Sequence, residues 1–324
     1  MKLSIVIVCL NEERHLQRCL PAIGRLDHCG LDVQLIVVDS GSRDRSRDVA
    51  REHGAVVVEC GRGIPLARNV GARHADGELL AYVDADVELE EGWFATVVRA
   101  LAEHRRKILG APPRLPPDAS WVARAIEMHA IPLGLIPGHE TDHDHLVSCH
   151  AMAMGREVFE EVGGFREDLA VNEDTHFVRQ AKELGVTVAC DVGFRYVHHG
   201  EPRSLTEFFK RTVWGATYEK WFEFLRRGQL AQARRPQYIF GAIIAAEVAG
   251  LGLSLVNPVG GWQIGVPLSL AAFGATVAVP ALRTAARHHA YDKLGELMLM
   301  FGTYGLANAT ALVGVGRDKN KRWR

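Results

Sequence analysis

Two aspartates stand one residue apart in the stretch AYVDADVELEEGW, where the apolar run Ala81-Tyr82-Val83 meets Asp84 and Asp86. One reading is a polar exit from a buried strand, since Asp is common in turns. The other is a divalent-cation site, because Mg2+ typically takes one or two carboxylates plus substrate phosphates. Further polar groups fall at similar places: Asn11 and Glu12 after one apolar run, Asp39 and Ser40 after another. Glu173 and Asp174 open a predicted helix, where the helix dipole by itself favours negative charge. His198 and His199 close a predicted strand and are candidate nitrogen ligands. Arg68 and Asn69, on a predicted helix, suit donation to phosphates or to a sugar; for Arg68 a solvated helix face competes with that. His139, His143, His145 and His150 gather with Asp142 and Asp144, but their spacing matches no standard zinc pattern, and a mobile loop is expected there.

The elements that must position these residues alternate. Residues 3–10 form a continuous apolar strand, and a helix follows from Asn11 or Glu12 to about Ile23. VQLIVVD is a second strand ending at Asp39, AVVVE a third and ELLAYVD a fourth, with helices between them that end near Gly54 and Gly77. Strands alternating with helices of this length imply a parallel sheet covered on both faces. Ligands of such sheets bind outside the carboxyl ends of the strands, where the Asn11, Asp39 and Asp84/Asp86 groups all fall. No GxGxxG or Walker loop follows the first strand, which argues against a dinucleotide or P-loop site.

Composition narrows the class. The 324 residues are 48% hydrophobic and 24% charged, as expected of a folding chain. A net charge of −1 provides no global attraction for nucleic acid. The six cysteines form no CxxC pair, which fits reduced thiols. KLSIVIVCLNEE reads as the first strand rather than as a signal peptide.

Five stretches in register carry a resemblance: SIVIVCLNEERHLQRCL, IVVDSGSRDRS, LARNVGARHADGELLAYVDAD, EVGGFREDLAVNEDTHFVRQAKELG and FRYVHHG. Over residues 2 to 200 the chain resembles the family 2 glycosyltransferases, nucleotide-diphospho-sugar-dependent enzymes of the α/β GT-A fold, a Rossmann-like mixed sheet. The resemblance implies that Leu10, Asn11, Glu12 and Asp39, with Ser40 beside them, hold the nucleotide. Asp84-Ala85-Asp86 matches the DxD motif, with Asp86 as the direct ligand of Mg2+ or Mn2+, Asp84 nearer the ribose, and His199 as a further candidate ligand. In the NED motif Asp174 would be the general base and Glu173 its neighbour. Ser40 stands where many members carry a second Asp, and Cys9 where a Thr or Tyr is more usual. The implied reaction is inverting transfer from a nucleotide-diphosphate sugar, UDP favoured over GDP. A pyrophosphorylase would want a glycine-rich loop that CLNEERHL lacks, and the absence of a QxxRW motif favours single-sugar transfer over a processive synthase. A catalytically silent scaffold is the reading outside enzymology.

From Tyr238 onward the character changes. Residues 239–256 contain only Glu247 as a charge, 264–282 contain none, and 294–315 only Glu296. A membrane span needs about 20 largely apolar residues. The expected organisation is a catalytic domain over 1–203, an amphipathic juxtamembrane helix over 204–235 and a membrane-associated helical region over 236–324. Arg234, Arg235, Arg283 and Arg287 favour two spans with both ends cytoplasmic and 294–315 re-entrant or interfacial. That layout resembles the polyprenyl-phosphate glycosyltransferases. It implies a catalytic domain on the cytoplasmic side of the inner membrane and a lipid-linked, polyprenyl-phosphate or glycolipid acceptor.

Overall fold

Apolar strands with alternating partners build the sheet. In the computed structural model, residues 1–131, 135, 146–169, 172–215 and 274–312 are described. Strands β1 (Lys2–Cys9), β2 (Asp32–Asp39), β3 (Val56–Glu59) and β4 (Leu79–Asp84) pair in parallel, as their continuous Val/Ile/Leu runs lead one to expect. The helices between them are α1 (Glu13–Arg25), α2 (Ser46–Glu52) and α3 (Ile64–His74). Beyond β4 the sheet becomes mixed. β7 (Ala151–Gly155) lies antiparallel between β4 and β6 (Lys107–Gly110), and β8 (Thr187–Cys190) pairs in parallel with β6. The order across this seven-stranded sheet is β3-β2-β1-β4-β7-β6-β8. A separate ribbon joins β5 (Val87–Leu89) to β9 (Tyr196–His198), antiparallel, with Val87 opposite His198.

Period-two alternation divides the core between two faces. Leu3, Ile5 and Ile7 of β1 and Leu79, Ala81 and Val83 of β4 join α1 and α4 (Trp93–Leu101). Val6, Leu80 and Tyr82 face the other way, onto α3, α6 (Arg156–Val162) and α7 (Glu173–Glu183). The one polar residue buried within β1, Ser4, accepts from Gly77 N at 2.9 Å and donates to Gln34.

Residues 1–117 and 131–201 form one compact unit; 118–130 and 202–322 form another. In the second, α5 (Trp121–Ala130), α8 (Leu205–Gly215), α9 (Val279–His288) and α10 (Leu294–Leu312) share a core. It joins Val122 and Ala125 to Phe208, Ala281, Ala285, Leu297, Met300 and Phe301. Phe208 is buried here and stacks on Tyr304, while Lys210 and Arg211 of the same helix are exposed. Residues 216–235 of the expected juxtamembrane helix, the stretch 239–256 and residues 264–273 lie outside the described residues. Among the described residues no helix is long and apolar enough to cross a membrane, α10 included.

Gly71 sets how closely α3 lies on β1 and β2: a methyl group there would run into Val6 and come within 3.1 Å of Val38. Gly71→Ala is therefore expected to lose about 1–3 kcal/mol in denaturant unfolding. Gly24→Ala in α1, where nothing lies within 4 Å, should be neutral or gain up to about 1 kcal/mol. Equal effects at the two sites would contradict this account of the packing.

Candidate active site

Parallel register places three strand ends side by side: Cys9 opposite Asp39, and Val8 opposite Asp84. The first two exits are sewn together. Asn11, left-handed at φ +58°, donates through its amide to Ser42 Oγ at 2.9 Å, and its side-chain oxygen accepts from Arg43 N at 2.8 Å. Glu12 N reaches Ser46 Oγ at 2.8 Å. Asp39 is fully buried, with both carboxylate oxygens accepting from Ser42 N at 3.1–3.2 Å and one also from Gly41 N at 3.1 Å. The predicted nucleotide residue Asp39 thus shapes a turn, and buried Ser40 sits 3.6 Å from Cys60 Sγ. Leu10 and Glu12 are half-buried, Asn11 exposed and Ala85 buried.

At the third exit the two aspartates part. Asp84 accepts from Arg68 Nη2 at 3.1 Å, and its backbone amide donates to His150 O at 3.0 Å. Asp86 lies 3.4 Å from His198 Nε2, and His198 Nδ1 lies 2.8 Å from Glu201. Gly200 is required beside them, because a Cβ there would strike both the Asp86 carboxylate and the His198 ring. Of the two candidate imidazoles it is His198 that meets Asp86, whereas Nε2 of His199, the expected further ligand, bonds Glu88 at 3.0 Å. Strand alternation explains the choice. Tyr196 and His198 share the buried side of β9, and the next residue turns away.

Burial opposes charge on His198, but its bonds to Asp86 and Glu201 push its pKa up to about 10. Burial likewise opposes ionisation of Asp86, yet the bond and charge of His198, with His150 and His15 behind it, hold the carboxyl well below the usual range. His150 stacks on His198 with ring centroids 4.3 Å apart. Burial and the charge of His198 lower its pKa and favour its neutral form. Burial pushes the Cys9 and Cys149 thiols up, so neither is poised as a nucleophile.

Across the site, Asn172 occupies the cap position of α7 at φ +59° and makes no side-chain cap hydrogen bond. Asp174 accepts from Cys149 N at 3.3 Å and from Thr175 N at 2.6 Å. The dipeptide Cys149-His150 therefore bonds both Asp84 and Asp174 through its backbone. Glu173 is buried against Arg68; burial raises its pKa, and Asp174 adds to the rise against the pull of the guanidinium. Arg68 is 5% exposed, not on a solvated face, and Asn69 turns inward to Phe165 and Glu167. Both are expected from the sequence to donate to phosphates or to a sugar, and the structure gives both partners within the protein. Their signal was readable: Pro65, Arg68, Gly71 and Ala72 recur at helical spacing on one buried face.

At the third exit Asp86 and the His198 imidazole are the groups whose chemistry could hold a hard cation, with Asp84 nearby but engaged by Arg68. Among the described residues no group of three or more His, Cys, Asp or Glu converges as a ready-made metal cage. Residues 139–145 of the histidine-rich stretch lie outside the described residues.

A sequence model of glycosyl transferase family 2 matches residues 4–163. Glycosyltransferase AglE of Haloferax volcanii is 23% identical over 199 residues, covering 58% of this chain and 64% of that protein. The uncharacterized glycosyltransferase EpsJ of Bacillus subtilis is 27% identical over 225 residues, covering 63% and 62%. The chain thus spans a little under two thirds of the length of these two relatives. The glucosyl-dolichyl phosphate glucuronosyltransferase of H. volcanii is 24% identical over 65% of this chain and 70% of its own. Among solved structures, the mannosyltransferase PcManGT of Pyrobaculum calidifontis, in complex with GDP-Man and Mn2+, superposes with a TM-score of 0.54 at 20% identity. That match covers 96% of this chain and 86% of the other. At such identity the likeness shows the fold, a GT-A-like mixed sheet.

The Asp86–His198 pair has a pH signature in the metal-free protein. His198 is raised, so its contribution is complete below the unfolded value of about 6.5 and is lost as pH rises through about 10. Asp86 is lowered, so its contribution is present above about 4 and lost in stronger acid. Chelator-treated wild type should therefore lose melting temperature between about pH 6.5 and 10 more steeply than His198→Gln. Parallel curves would show that the pair is not charged.

Proposed function

Given that residues 4–163 form a glycosyl transferase family 2 domain, we propose that the chain is an inverting, metal-dependent transferase of a sugar from a nucleotide diphosphate. One observation carries this reading. Asp86 pairs with His198, whose ring stacks on His150, and Asp174 at the head of α7 accepts from Cys149 N, so both acids meet the same Cys149-His150 segment. Asp86, with His198 and Asp84 nearby, would hold Mg2+ or Mn2+, which supplies positive charge to the diphosphate of the donor.

The chain's own residues then divide the work. Asp174, half-buried at the helix start, takes the proton of the acceptor hydroxyl as its oxygen attacks the anomeric carbon. The bond from that carbon to the diphosphate breaks and its electron pair leaves with the phosphate. Direct attack inverts the anomeric centre. Glu173 is occupied by Arg68, which favours Asp174 over Glu173 as the base. The turn 39–46, fixed to Asn11 and Glu12, forms the nucleotide side of the site, with UDP favoured over GDP.

The acceptor is proposed to be membrane-associated, a lipid-linked saccharide, polyprenyl phosphate or glycolipid, reached from the cytoplasmic side of the inner membrane. The apolar stretches 239–256 and 264–282 support this, as does a relative named for acting on a dolichyl phosphate.

The test is thermal stabilisation by UDP and GDP with and without Mn2+, followed by hydrolysis of the corresponding nucleotide sugars. One nucleotide should stabilise the wild type only with metal, and Asp86→Ala should abolish the shift. Asp174→Asn should keep the shift and lose about 10²–10⁴-fold in turnover. A protein that no nucleotide stabilises under either condition would be a scaffold that keeps only the fold.

A further inference from the structure

We propose that the consecutive residues Arg68 and Asn69 of α3 form a positioning clamp, which fixes the head of α7 to the Asp84 end of β4. The clamp thereby holds the Asp174 carboxylate at its working distance from the donor. The proposal rests on the transferase reading above.

Arg68 reaches two carboxylates from distant parts of the chain, Asp84 at the end of β4 and Glu173 at the first position of α7. Its guanidinium is almost wholly buried and lies 5.7 Å from the centroid of the Phe165 ring. A planar, rigid fork sets the separation and the angle of both partners, which a lysine would leave loose.

Asn69 completes the grip one residue later. Its amide nitrogen donates to Phe165 O at 2.8 Å, and its oxygen accepts from Phe165 N at the same distance. A second donation reaches Glu167 at 3.0 Å. Gly164 makes room for this, since at φ +81° a Cβ would come 2.9 Å from the Asn69 oxygen. Arg68 thus holds the start of α7 while Asn69 holds the turn leading towards it. Asp174, next in sequence to Glu173, is placed by that grip and by Cys149 N.

A direct contact to the donor phosphates makes a different prediction, so the two are separable. The proteins to compare are wild type, Arg68→Met, Arg68→Lys, Glu173→Gln and the double variant Arg68→Met/Glu173→Gln. For the clamp, Arg68→Met should leave Mn2+-dependent binding of UDP or GDP within a few fold and lower nucleotide-sugar turnover about 100-fold. Arg68→Lys should fall between. Adding Glu173→Gln should recover part of the loss, because it removes the carboxylate left without its counter-charge. Loss of nucleotide binding in parallel with turnover, or no recovery in the double variant, would overturn the clamp.

If the wild type binds no nucleotide at all, the transferase reading fails, yet the clamp remains decidable from melting temperatures. The two substitutions should then be strongly non-additive, and additive losses would overturn it. Should Arg68→Met not fold, the lysine and double variants carry the same comparison.

Discussion

Parallel pairing in register is the constraint on which the site depends. Once β1 lies between β2 and β4, the strands must release their chains on one edge, with Cys9 beside Asp39 and Val8 beside Asp84. The apolar runs that seal the two faces also fix where the polar exits fall. That edge then has a problem of its own, because exposed turns crowd together and their backbone groups need partners. The chain answers with short side chains, Ser42, Ser46, Asp44 and Asn11, which bond across from one exit to the other.

Buried charge is treated by the same logic. A guanidinium out of water is tolerated only when its donors meet acceptors, and Arg68 has two carboxylates against it. Asp39 meets two backbone amides and the Cys9 thiol, and Asp191, also fully buried, meets Gly193 N at 2.7 Å and Arg99. Several polar residues that look alike in the sequence therefore serve the frame. The acids at the crevice differ by position more than by type: Asp84 faces the frame, and Asp86 faces the imidazole.

Legibility in the sequence follows the strength of local signals. β1, β2 and β4 were readable because long apolar runs end on Asp or Asn, and α3 because Pro65 lies in its first turn. β7 was not: Ala-Met-Ala-Met-Gly has little strand propensity, and its place between β4 and β6 is set by tertiary contacts. β5 is three residues long, too short for periodicity; β9, the strand expected to end at the histidine pair, is as short, and its pairing with β5 decides which histidine meets Asp86. The inward turn of Arg68 and Asn69 depends on partners about a hundred residues later, which helix spacing hints at without naming.

The discontinuity of the second unit has a consequence during synthesis. Helix α5 leaves the ribosome inside the sequence of the first unit, but Phe208, Ala281 and Leu297, which bury Val122 and Ala125, lie far downstream. At translation rates of about 5–20 residues per second, that apolar face waits several seconds or more for its cover. The nascent chain carries an unsheltered helix through the very interval in which the strands before and after it in the sequence are pairing.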